Sequence, residues 1–256
     1  MVFPLYDDNT DRHITPFVNY AFIALNIFVF VVLQQLGSDT QFTYSFSTVP
    51  QEIVTGEDVM TAGRVLEHPV TGQEVLVPGL GRTPGSVYLT LFTSMFMHGG
   101  IAHLAGNMLF LWIFGDNIED RLGHVRYSIF YLLCGLLASL AHVFTTAAFA
   151  SQESGMLIPS LGASGAISGV LGGYMLLHPS RRVTVLLFRF FTQVPAWVAI
   201  GLWFAFQLVS GLGMLGQGSE QGGVAYAAHI GGFIAGLALI KVFDIGHGSR
   251  VQRRAY

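Results

Sequence analysis

Asp, Glu, Lys and Arg are distributed so unevenly that six stretches of twenty residues or more carry none of them: 14–38, 83–115, 127–152, 154–180, 190–219 and 221–240. A helix needs ~20 mostly apolar residues to cross the ~30 Å hydrocarbon core of a bilayer. Inside that core a helix satisfies its own backbone hydrogen bonds, which an open strand or loop does not. The pattern therefore predicts an all-α membrane protein with six transmembrane helices. Composition agrees: 52% of the residues are hydrophobic and only 11% are charged, where a soluble domain carries about 25% charged residues. That balance excludes a disordered chain, a nucleic-acid binder and an ordinary soluble enzyme. The 31 glycines suit helices that must approach closely. One cysteine, Cys134, excludes an internal disulfide or a cysteine-rich metal site.

The first stretch, from Thr15-Pro16 to Leu36-Gly37, is expected to stay in the mature chain. Asp7, Asp8 and Asp11 outweigh Arg12 ahead of it, whereas a cleaved leader opens on a basic segment. Six spans put both ends of the membrane domain on one side. That side collects Arg12, Arg121, Arg126, Arg181, Arg182, Arg189, Lys241, Arg250, Arg253 and Arg254, against Arg64 and Arg82 on the other. Lys and Arg accumulate in cytoplasmic loops, so both termini are expected in the cytoplasm. With no organellar presequence in view, the expected location is a bacterial inner membrane. The expected boundaries are a cytoplasmic segment 1–14, a membrane domain 15–243 with an outer loop at about 38–97, and a cytoplasmic tail 244–256. Within the outer loop, alternation in Glu74-Val75-Leu76-Val77 points to a short strand or hairpin, and the apolar run Val87–Met97 to a segment packed on the bundle.

Polar groups inside spans are costly and mark function by default. His103 and Asn107 lie four apart on one face of the second span. For either alone, plain helix–helix hydrogen bonding is the simpler reading. The fourth span opens Gly162-Ala163-Ser164-Gly165. Gly162 suits a tight turn and places Ser164 in the first helical turn, where unpaired N–H groups favour a developing anion. From Ser164 to His178 a helix rises only ~21 Å, so Ser164 is expected below the outer surface. Gly165, Gly169 and Gly173 form one small-residue stripe, and Gly232 with Gly236 forms another on the sixth span. His229 precedes Gly232 by three residues and shares its face. Packing the two stripes together would bring Ser164 to His229. A lone intramembrane histidine could equally ligate haem, shuttle protons or bond a carbonyl. No carboxylate lies inside spans three to six, so a Ser-His pair would be a dyad. The fifth span is bulky, with Trp197, Trp203, Phe204 and Phe206.

Together and in this order, the motifs resemble those of the rhomboid family of intramembrane serine proteases. His98, His103 and Asn107 match the family's second-helix His and Asn positions, and Gly162-Ala163-Ser164-Gly165 matches its GxSG motif. Ala228-His229 with Gly232 and Gly236 matches AHxxGxxxG, and Glu119-Asp120-Arg121 matches ExR. The resemblance implies a six-transmembrane-helix bundle that cleaves single-pass substrates in or near their transmembrane segment. It implies Ser164 as nucleophile, His229 as base and later acid, and His103, Asn107 and the Ser164 N–H as oxyanion donors. It implies no cofactor, no metal and no nucleic acid; the partners are membrane-protein substrates and the lipid bilayer. Two positions depart from the family's habit. Ser168 stands where an aromatic residue often stacks on the base, so orientation of His229 must come from a hydrogen bond or another ring. The outer loop also lacks the frequent Trp-Arg pair. The competing class is a catalytically silent rhomboid-like protein that holds membrane clients without cutting them.

Overall fold

The computed structural model describes residues 2–67, 74–149, 153–187, 190–217 and 226–245. Arg189, Arg250, Arg253, Arg254 and the expected tail from residue 246 lie outside these residues. A strand β1 (Val2–Asp7) leads to helix α1 (Phe17–Phe28), which continues as a π-turn to Leu33. The long connection 38–97 holds α2 (Thr40–Ser45), α3 (Pro50–Thr55), strands β2 (Arg64–Glu67) and β3 (Glu74–Val77), and α4 (Thr90–Thr93) between two 3₁₀ turns. The second long stretch is α5 (Ile101–Phe110), a π-turn Leu111–Gly115, and α6 (Asp116–Leu122). Then come α7 (His124–Phe149), α8 (Glu153–Met156), α9 (Ser164–Leu177), strands β4 (Arg182–Leu187) and β5 (Phe190–Pro195), α10 (Ala196–Gln217) and α11 (Tyr226–Asp244).

The fold is mostly helical, as the uncharged stretches require, and β2 pairs antiparallel with β3 where alternation pointed to a hairpin. By length and composition, α7 and α11 are long and apolar enough to cross a membrane, whereas Phe17–Leu33, Ser164–Leu177 and Ala196–Leu212 are apolar but shorter. The shortfall has a local cause in α9. Its 14 residues rise ~21 Å, and non-helical backbone precedes it. The all-α expectation needs one correction. β1, β4 and β5 form an antiparallel three-stranded sheet in the order β1-β4-β5. The N-terminal segment is thus a paired strand, and the arginine-bearing connection after α9 is a strand as well. Val183, Thr184 and Val185 are β-formers, and charge patterning carries no signal for which distant strand will pair with them.

The glycine stripes pack α9 into α11. A Cβ on Gly232 would lie 2.1 Å from the Gly165 carbonyl oxygen, and one on Gly236 would lie 2.0 Å from that of Gly169. Gly172, outside the predicted 165/169/173 stripe, is equally tight: its Cβ would meet the Phe233 oxygen at 2.4 Å. α7 closes the third side, with the Cys134 side chain filling the space a Cβ on Gly169 would need.

The arginine-rich end is tied by polar contacts between elements. The first-turn N–H groups of α1 have no partner within their own helix. The Glu119 carboxylate accepts from Val18 N at 3.0 Å and from Asn19 N at 2.7 Å. Asp120 accepts from the backbone N–H groups of His13 and Ile14. Arg121 forms a two-pronged pair with Asp244, at 2.7 and 2.9 Å, which fixes α6 to the end of α11. The Glu119-Asp120-Arg121 run thus joins the first, second and sixth long helices.

Asp7, at the end of β1, is buried, and its Oδ2 accepts from Tyr174 Oη at 2.6 Å and Asn117 Nδ2 at 2.8 Å. Its Oδ1 has no partner among the described residues. Burial pushes this carboxyl up to about 7, opposed by the Tyr174 hydrogen bond, reinforced by Asp116 and offset by Arg181. The folded value lies above the unfolded 3.8, so its stabilising contribution is full below about 4 and is lost as pH rises through about 7. Asp7→Asn keeps an acceptor for Tyr174 and Asn117 and carries no charge. Its thermal midpoint relative to wild type is expected to rise steadily from pH 4 to pH 8. A difference that stays flat, or that falls with pH, would show that Asp7 is not held protonated.

Candidate active site

Gly162 has φ +123°, a backbone conformation open to glycine and strained for other residues. It turns the chain so that Ser164 is the first residue of α9. The irregular backbone ahead of it is not left unpaired. Thr48 and Ser160 exchange both backbone hydrogen bonds, at 2.9 and 2.8 Å, and Gly162 N donates to Ser94 O at 2.8 Å. The segment around residues 48 and 94 therefore satisfies backbone that has no helix or sheet partner of its own. A cavity of ≈ 20 Å³ lies beside this turn, lined in part by Ser94, Ser139, Ser160, Gly162 and Ser164. That is polar and about the size one water needs.

Ser164 and His229 meet, as packing of the two glycine stripes requires. Ser164 Oγ is 2.8 Å from His229 Nε2. The other ring nitrogen, Nδ1, is 2.8 Å from Gln207 Oε1 on α10. This arrangement places the hydrogen on Nδ1 and leaves Nε2 to accept from the serine hydroxyl. The Trp203 ring, one turn earlier on α10, is centred 6.1 Å from the His229 ring, and the Tyr226 ring 6.4 Å from it. Ser168 does not reach the histidine: its hydroxyl donates to the Ser164 carbonyl at 2.6 Å.

His103 and Asn107 converge on the open side of Gly162. A Cβ there would lie 2.8 Å from His103 Nε2 and 3.7 Å from Asn107 Nδ2. Gly99 N donates to His103 Nδ1 at 3.3 Å, which makes Nε2 the protonated nitrogen and a donor toward that space. Asn107 is only 8% exposed, and its Nδ2 has no hydrogen-bond partner among the described residues. The buried Asn107 amide and the half-buried His103 ring therefore present donors to the same space next to the serine.

His98 is buried, with its ring edge-on to His103 at 5.2 Å. Its backbone is clasped by the Gln34 amide: His98 N donates to Oε1 at 2.9 Å, and Nε2 donates to His98 O at 2.8 Å. Gln34 and Gln207 are the two site-supporting residues that motif reading passes over. The available signal was the rule applied to the histidines, that a polar group in an uncharged span is there for a reason. Among the described residues, no group of three or more His, Cys, Asp or Glu could hold a metal ion.

A family model described as the rhomboid domain matches residues 85–243. The chain is 32% identical over 149 residues to Rhomboid protein 1, mitochondrial, of Saccharomyces cerevisiae, covering 58% of this chain and 40% of that protein. It is 29% identical over 225 residues to Rhomboid protease GluP of Bacillus subtilis, covering 88% of this chain and 35% of that protein. It is 30% identical over 161 residues to Presenilin-associated rhomboid-like protein A, mitochondrial, of Danio rerio, covering 62% of this chain and 37% of that protein. The matches thus span 35% to 40% of these relatives' lengths.

Proposed function

Because this chain belongs to the rhomboid family of integral membrane proteins, we propose that it is an intramembrane serine endopeptidase that cleaves single-pass substrates in or near their transmembrane segments. The observation that carries the reading is the 2.8 Å contact between Ser164 Oγ and His229 Nε2, at the N-terminus of a helix and beside the His103 and Asn107 side chains. Ser164 attacks the scissile carbonyl while His229 takes its proton at Nε2. The oxyanion receives hydrogen bonds from His103 Nε2, Asn107 Nδ2 and the Ser164 N–H. His229 then hands the proton to the leaving amine, and water releases the acyl group from Ser164. Asp is absent from the relay, so His229 acts without a carboxylate partner.

In this reading the six long helical stretches each span the bilayer. Residues 15–243 form the membrane domain, the segments 1–14 and 244–256 lie in the cytoplasm, and the outer loop at 38–97 faces the opposite side. The ten-to-two division of Lys and Arg supports that orientation; a bacterial plasma membrane is part of the proposal, and the named relatives are one protein of Bacillus and two mitochondrial ones.

A fluorophosphonate probe tests the reading on the full chain in detergent or liposomes. Labelling that Ser164→Ala removes, together with cleavage of members of a single-pass substrate panel, is the expected result. A folded chain that neither labels nor cleaves, yet retains membrane clients, would instead be a silent client-binding member of the family. The oxyanion assignment has its own test. Asn107→Ala is expected to lower kcat roughly 10²–10³-fold with KM nearly unchanged, because the lost bond strengthens only in the transition state. Normal kcat in that variant would move the oxyanion elsewhere.

A further inference from the structure

We propose that Gln207 is a positioning residue that fixes the tautomer and ring orientation of His229, so that α10 carries the group that makes the base competent. The proposal rests on the reading of Ser164 and His229 as nucleophile and base.

Gln207 sits in the middle of α10, between Phe206 and Leu208, and is only 6% exposed, whereas Phe206 and Val209 are more than half exposed. A primary amide on a helix with an apolar outer surface has few partners, and this one turns inward to a single histidine nitrogen at 2.8 Å. A neutral imidazole carries one hydrogen, on either nitrogen. With the hydrogen on Nδ1, held by Gln207 Oε1, the Nε2 lone pair faces Ser164 Oγ. With the hydrogen on Nε2, the ring can only donate toward the serine and cannot take its proton. The nitrogen that faces the serine is thus selected at the far side of the ring. In serine hydrolases with a full triad a carboxylate makes that selection, and an amide in its place that stabilises the wrong tautomer lowers kcat about 10⁴-fold. Here no Asp or Glu among the described residues hydrogen-bonds to His229. A glutamine can do the same work through its oxygen, with no charge to bury.

Ring orientation has the same source. The position four residues after the nucleophile is Ser168, whose hydroxyl is committed to its own helix. The ring of Trp203, four residues before Gln207 and on the same face of α10, lies against His229 instead. Both restraints on the base thus come from α10, and moving α10 away from α11 withdraws both.

The test compares steady-state cleavage and fluorophosphonate labelling by wild type, Gln207→Leu, Gln207→Met and Gln207→Glu in liposomes, with thermal midpoints measured alongside. Leu and Met fill the same space without an acceptor. They are expected to lower kcat roughly 10- to 100-fold, the size of loss known for removing the hydrogen-bond partner that orients a metal-bound histidine, with KM within about twofold. Glu restores an accepting oxygen whether or not it is ionised, and is expected to recover most of kcat. Met supplies the comparison should Leu disturb packing. If Leu and Met keep wild-type kcat while wild type labels and cleaves, the positioning role is overturned and the dyad reading stands. Equal losses in Leu, Met and Glu that follow their thermal midpoints would also overturn it, since the amide would then serve packing alone. A wild-type chain that neither labels nor cleaves removes the dyad reading and this proposal together.

Discussion

Ser164→Ala and His229→Ala are each expected to reduce peptide-bond cleavage by roughly 10⁴-fold or more, and the double variant is expected to be no slower than either single one. The two side chains form one proton-transfer unit, linked at 2.8 Å; once either half is missing, the other has nothing left to contribute. Neither substitution adds bulk. Ser164 opens a helix of small residues, and Ala at position 229 leaves α11 packed through its glycines, so folding is expected to survive. Thermal midpoints close to wild type would separate lost chemistry from lost structure. Substantial cleavage by purified Ser164→Ala would remove this serine as the nucleophile. A double variant much slower than both single variants would mean that the residues act independently.

The largest effect on stability is expected at the contact that brings those two residues together. Gly236→Ala would place a methyl carbon 2.0 Å from the Gly169 carbonyl oxygen, about 1 Å inside the closest approach such atoms make. Helix backbone cannot yield locally by that amount, so α9 and α11 must separate or the chain must unfold. Overpacking of this kind costs about 1–3 kcal/mol and sometimes more, and a branched side chain such as Val is expected to prevent folding. Activity should fall further than stability, because the same displacement stretches the Ser164–His229 contact. Gly201→Ala is the matched control. Nothing lies within 4 Å of a Cβ at that position, and replacing a mid-helix glycine by alanine is worth up to about 1 kcal/mol in helix propensity. Gly201→Ala is therefore expected to be neutral or stabilising. Equal thermal midpoints for Gly236→Ala and Gly201→Ala would refute the tight-contact account.

Several features of the chain are settled by local chemistry and are readable without coordinates. An uncharged stretch that lies in lipid is mostly helical, because a helix satisfies its own backbone there, and each of the six stretches holds a helix. Glycine before the serine and small residues after it set a tight turn into a closely packed helix. The spacing between His229, Gly232 and Gly236 puts the imidazole on the face that approaches a neighbour. Each conclusion needs only the helical period and the size of a side chain.

Other features depend on which distant elements meet, and periodicity is blind to that. The N-terminal segment reads only as a polar stretch ahead of the first uncharged one, and it becomes a strand because β4 offers it an edge. Gly172 lies off the simple four-residue stripe, yet it touches the Phe233 carbonyl because the crossing of α9 and α11 brings that oxygen within reach. Glu119 looks like one member of a charged run; its role is to cap a helix 100 residues earlier in the chain. Gln207 is the plainest case. Its spacing along α10 sets it apart from Phe206 or Leu208 only as a polar residue in an apolar span. Docking of α10 against α11 is what places its amide oxygen on His229 Nδ1, because the partner of a side-chain hydrogen bond is chosen by tertiary geometry and not by the residues on either side of it.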